Sequence, residues 1–129
     1  MRAAVRPLLL LVVLCGLAAA ALSQPNPGAE ANYLGWGPNS PAAFPDGVSA
    51  TAIQKAAPGY TCPGMVIRVI DDTTGKTIDT FSVENPKETV NAMFTGLGSN
   101  RKVQVTADAT FQSGGTFDPK HIEAVVTTP

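Results

Sequence analysis

From Val48 onward the chain is a succession of short runs rich in β-branched residues, each closed by a cluster of glycine, asparagine or aspartate. No 3.6-residue apolar period persists long enough to give a helix an apolar stripe, so the segment is confined to strands and turns. The runs predict strands at 48–54, 65–70, 76–83, 89–95, 102–111 and 121–127. Asp71-Asp72-Thr73-Thr74-Gly75, Gly96 to Asn100 and Ser113-Gly114-Gly115 form the turns. Several short strands at this spacing point to an antiparallel two-sheet sandwich.

Alternation with a period of two selects the side chains that face the core. The inward set is Met65, Ile67 and Val69; Phe81 and Val83; Val90, Ala92 and Phe94; Val103, Val105, Ala107 and Ala109; Ile122, Ala124 and Val126. Arg68, Asn91, Thr95, Gln104, Thr106, Asp108 and Glu123 are expected to face water. Each large buried side chain contributes roughly 1.5–3 kcal/mol, enough in sum to offset chain entropy by a small margin.

The start of the chain predicts export. Arg2 and Arg6 precede an apolar run from Leu8 to Leu22, and Ala21-Leu22-Ser23 supplies a small-residue exit, the pattern of a cleavable signal peptide spanning 1–23. The run is shorter than the roughly 20 residues a membrane-spanning helix needs. Cleavage after Ser23, with Ala19-Ala20-Ala21 as the neighbouring choice, leaves residues 24–129, the size of one domain. Removing Arg2 and Arg6 leaves seven basic residues against ten acidic ones, a formal charge of −3. A balance of that sign, with only Arg101 and Lys102 adjacent, argues against a nucleic-acid partner.

Cys15 leaves with the signal peptide, so Cys62 stands alone and no intrachain disulfide can form. A lone thiol in an oxidising compartment is buried, paired with another chain, or modified; the neighbouring Tyr60-Thr61 and Pro63-Gly64 read as a turn, which favours exposure. Asn39-Ser40-Pro41 is not a glycosylation sequon. Residues 24–47 carry five prolines and four glycines, a density that interrupts a sheet ladder. They are read as an extended arm anchored by Tyr33, Leu34, Trp36 and Phe44, before a β-sandwich domain at 48–129.

From Gly59 to Pro129 the order of landmarks resembles a fibronectin type III domain, one of the immunoglobulin-like sandwiches. The matching residues are MVIRVIDD and its Thr-Thr-Gly hairpin into KTIDTFSV, TVNAMFTGL with Gly96-Leu97, the alternating VQVTADA, a Gly-Gly loop and the closing AVVTTP. Three features depart from the family. The second-strand candidate lacks a tryptophan, Val103 stands where the corner tyrosine would be, and no Arg-Gly-Asp tripeptide is present.

Chemistry-bearing residues are sparse. His121 is the only histidine, so a site needing two imidazoles is excluded. Asp118, Ser113 and Thr116 are its neighbours for a nucleophile, base and orienter, without a nucleophile elbow. Cys62, His121 and Met65 or Met93 offer copper ligands but one imidazole too few for a cupredoxin site. Asp71-Asp72 and Glu84/Glu88 lack the spacing of a calcium loop. The expectation is a non-enzymatic protein with no cofactor and no metal.

The fibronectin-like topology implies that loops 55–64 and 112–120 share one end of the sandwich, bringing Tyr60, Cys62, Phe111, Phe117 and His121 together as a candidate binding surface. Trp36 and Cys62 are the candidate assembly contacts. The resemblance implies a secreted binding or adhesion module at the cell surface or in an extracellular matrix, with a protein or glycan ligand. The alternatives are a structural subunit joined through the arm, an edge strand or Cys62, and a small secreted enzyme or carbohydrate-binding domain.

Overall fold

A computed structural model describes residues 31–129. The expected signal peptide, its cleavage site and arm residues 24–30 lie outside the described residues. Asn32–Pro129 is one compact unit of eight strands, with no helix among the described residues. The strands are β1 (Tyr33–Trp36), β2 (Ala42–Phe44), β3 (Gly47–Lys55), β4 (Thr61–Asp71), β5 (Thr77–Glu84), β6 (Thr89–Phe94), β7 (Lys102–Ser113) and β8 (Thr116–Thr127).

They form two antiparallel sheets. In one, β3 pairs with β6 on one side and with β1 and then β2 along the other, so β1 and β2 are two pieces of a single broken edge. The other runs β5-β4-β7-β8. The inner faces meet in one hydrophobic core: Val48, Ala50 and Ala52 of β3 and Val90, Ala92 and Phe94 of β6 on one side, Met65, Ile67 and Val69 of β4 and Val103, Val105, Ala107, Ala109 and Phe111 of β7 on the other. Shared burial of two inner faces makes this a sandwich-like all-β fold.

The structure alters the sequence expectations at definite places. Residues 33–36 and 42–44 join the sheet because an edge strand needs partners on one side only, and Pro38, Pro41 and Pro45 fall between or after the two pieces. β4 begins at Thr61; a register shift between Thr61 and Gly64 absorbs Cys62-Pro63, so Cys62 is a buried strand residue and not an exposed turn residue. β8 begins at Thr116, with Pro119 on an edge where its missing N–H faces no further strand. Phe81 keeps its predicted face, opposite Ile67, yet is 37% exposed because β5 is a sheet edge. Thr106 faces outward in register with Arg68 and Glu123, but its central strand leaves it 4% exposed.

Polar ties fasten the connections. Asp46 accepts from the Gly96 and Gly98 amides at 3.0 and 2.8 Å, while its carbonyl accepts from Leu97 N–H. Thr128, 1% exposed, accepts from Arg101 N–H at 2.9 Å and donates to the Gly98 carbonyl at 2.7 Å, which anchors the closing Thr-Thr-Pro. Buried Gln54 donates to the carbonyls of Pro86 and Lys87. Gly47 is required by close approach: a Cβ there would run into the Phe94 carbonyl and the Phe44 ring.

Candidate functional site

The β7–β8 hairpin divides the five residues expected at one end of the sandwich between opposite faces. Phe111 is fully buried, Cys62 is buried, and Tyr60 packs against the core from a half-buried position. Phe117 and His121 occupy outward positions of β8, Phe117 opposite Gln112 and His121 opposite Asp108. Phe111 and Cys62 thus belong to the core, whereas Phe117 and His121 belong to the solvent-facing side of the four-stranded sheet. Trp36 packs against its own core, with a buried indole N–H that has no hydrogen-bond partner.

Burial also sets the thiol's chemistry. Desolvation pushes the Cys62 pKa up, against a smaller lowering from backbone hydrogen bonding at Gly64, so the reactive thiolate is disfavoured. The copper set is dispersed: Cys62 and Met65 point inward, His121 outward from the β5-β4-β7-β8 sheet, and Met93 is exposed on the outer side of the sheet of β1, β2, β3 and β6. Among the described residues, no three His, Cys, Asp or Glu side chains come together in a metal-holding arrangement. Asp71 is occupied by the Thr73 and Thr74 amides and the Arg101 guanidinium, and Asp72 by Lys102. The Thr74 amide, followed by Arg101, holds the Asp71 carboxyl below its usual range.

The outer face of β4–β7–β8 carries a charged chain of contacts. His121 Nδ1 lies 2.6 Å from Asp108 Oδ1 and Nε2 lies 3.0 Å from Glu123 Oε1, while the other Asp108 oxygen lies 3.5 Å from Arg68. Glu123, followed by Asp108, holds the His121 pKa above its ordinary value by accepting its N–H groups. Both ring nitrogens therefore meet carboxylates. Asp118, the expected orienter, instead accepts from Asn32 at 2.9 Å and lies near Lys120. Phe117 and Val125, 61% and 49% exposed, stand on the same face as this network.

The Asp108–His121–Glu123 grouping was absent from the sequence expectations, although its signal was present. A two-residue Gly114-Gly115 turn places Ser113 opposite Thr116, and counting outward five pairs brings Asp108 opposite His121. Glu123, two residues on, then shares His121's face. No protein-family model matches this chain, and comparison with curated proteins found no relative.

Proposed function

We propose that the protein is a secreted, non-enzymatic binding module of fibronectin type III character that engages its partner through the outer face of β5-β4-β7-β8. The observation that carries this reading is the coincidence of exposed Phe117 and Val125 with the Arg68–Asp108–His121–Glu123 network on one rigid strand surface. Exposed aromatic and aliphatic anchors beside fixed charges suit a recognition surface. The pairing of β5 with β4 supports the family resemblance, since the strand following β4 stays in its sheet and leaves β3 and β6 with the broken β1/β2 edge. His121, held on both sides by carboxylates with no hydroxyl at either nitrogen, favours binding over nucleophilic catalysis.

The test is retention of the purified protein on the extracellular matrix of its native cells. Phe117→Ser and Val125→Asp are expected to weaken retention about tenfold or more, corresponding to at least about 1.4 kcal/mol, while Met93→Ser on the opposite outer face leaves it unchanged. Equal retention of all variants would overturn the reading. The assembly alternative retains one favourable observation: β5 is an open edge bearing the exposed Phe81. Mass that rises with concentration and falls with Phe81→Lys would place assembly first.

A further inference from the structure

A concavity of about 500 Å³ lies on the outer face of the four-stranded sheet, lined by Gly64, Val66, Ser82, Glu84, Asp108 and Thr110. The registers explain its shape. Glu84, Gly64 and Thr110 form one row across β5, β4 and β7, with Ser82, Val66 and Asp108 in the next. The middle of the first row has no side chain. A Cβ at Gly64 would meet only the Val83 carbonyl, at 3.6 Å, an ordinary contact. Gly64 is not among the residues with positive φ, and it resumes the register after the irregularity at Cys62-Pro63. Its backbone would accommodate a side chain, yet the position stays open; glycine inside a strand is costly and can mark close approach by another molecule.

The lining specifies what fits. Val66 gives the depression an apolar wall, Ser82 and Thr110 contribute hydroxyls, and Glu84 and Asp108 stand on the two flanking strands. Glu84 makes no ion pair among the described residues, and no lining residue is cationic. Arg68, in the adjoining row, is directed at Asp108. An anion would meet two carboxylates, and a wholly apolar group would leave Glu84 without a partner, Asp108 being already paired with Arg68 and His121. A long aliphatic stem ending in a cation satisfies both parts of the surface.

Building on the outer-face binding reading, we infer that this concavity receives a lysine or arginine side chain of a partner protein, its stem over Gly64 and Val66 and its cation between Glu84 and Asp108. The two hydroxyls accept N–H groups that the carboxylates leave unmet. Solvent screening keeps such a contact weak by itself, so it sets register within a wider interface.

Amide-resolved NMR titration of the mature protein with N-acetyl-arginine methylamide tests this, with N-acetyl-glutamine methylamide as the neutral control. Expected are saturable shifts centred on Gly64, Val66, Ser82, Glu84 and Thr110, with a dissociation constant on the order of millimolar for the cation and no saturation for the control. Gly64→Leu, which fills the depression, and Glu84→Lys, which reverses an exposed edge charge, should each weaken the response about tenfold. Glu84→Lys is judged independently of whether Gly64→Leu folds. Equal response to the neutral control, or a response unchanged by Glu84→Lys, overturns the inference. Matrix retention lost in Val125→Asp but preserved in Glu84→Lys would overturn the cation site and leave the outer-face reading standing; retention preserved in both would overturn both.

Discussion

The two faces of the four-stranded sheet are built by the same strands, yet they answer to different constraints. Inward from β4 and β7, residues 65, 67, 69, 103, 105, 107, 109 and 111 are all apolar and all buried. Outward, Val66 and Ile70 alternate with Arg68, while Gln104, Thr106, Asp108 and Thr110 share β7. Close packing fixes the inner choice, because a polar or missing atom there is penalised directly. The outer choice is not set by burial. Side chains there can be arranged by what they meet across strands or in a partner.

The sharpest way to expose this contrast is to disturb neighbouring residues on opposite faces. Ile67→Asp places an unpaired carboxylate at a position of 0% exposure and is expected to abolish cooperative unfolding. A native-like denaturation curve for that variant would break the account of the core. Phe111→Ala should cost about 3–5 kcal/mol by emptying a fully buried position, measured by chemical denaturation. That result also distinguishes Phe111 as a core residue from Phe111 as a binding residue.

Thr106 is where the contrast is closest to failing, since it is outward yet buried. Thr106→Val retains β-branching and should alter stability by no more than about 0.5 kcal/mol. A cost like that of an inner-face substitution would mean that the outer face is packed as tightly as the core.

A smaller effect separates the faces by pH. Because Glu123 and Asp108 raise the folded-state pKa of His121, its contribution to stability is fully present below the unfolded histidine value and is lost as pH rises through the folded value. With His121 half exposed, the pairings contribute at most about 1 kcal/mol after solvent screening. Subtracting the stability profile of His121→Gln from that of the parent should reveal a term that declines over the interval above the ordinary histidine pKa. A term that grows over that interval would contradict the geometry. The smallest effect is expected at Phe117→Ser, whose side chain is mostly in water and whose loss should leave the thermal midpoint nearly unchanged.

Much of the sandwich is legible in the sequence because alternation survives wherever a strand has one buried face. Ile67, Val69, Val90, Phe94, Val103 and Val105 fall inward as the pattern requires. The illegible parts are those in which proline or glycine is tolerated by position. β1 and β2 pair only with β3, Pro119 lies on the β8 edge, and Pro63-Gly64 adjoins a register shift. Each interruption reads as a loop until its pairing is known. The candidate site was less legible for a different reason. Phe111 and Phe117 are close in sequence but opposite in parity once the hairpin register is set, so nearness along the chain did not place them on one surface. The depression at Gly64 arises from two cross-strand rows and has no sequence-local signature.

The proposed binding through this outer face is tested most directly by oxidative footprinting of the protein, free and after incubation with extracellular matrix. Phe117 and Met93 serve as paired reporters, being 61% and 69% exposed on the outer sides of opposite sheets. The account predicts that Phe117 becomes protected on binding while Met93 oxidises at its original rate. Protection of Met93 with Phe117 still reactive would contradict it and assign recognition to the sheet of β1, β2, β3 and β6.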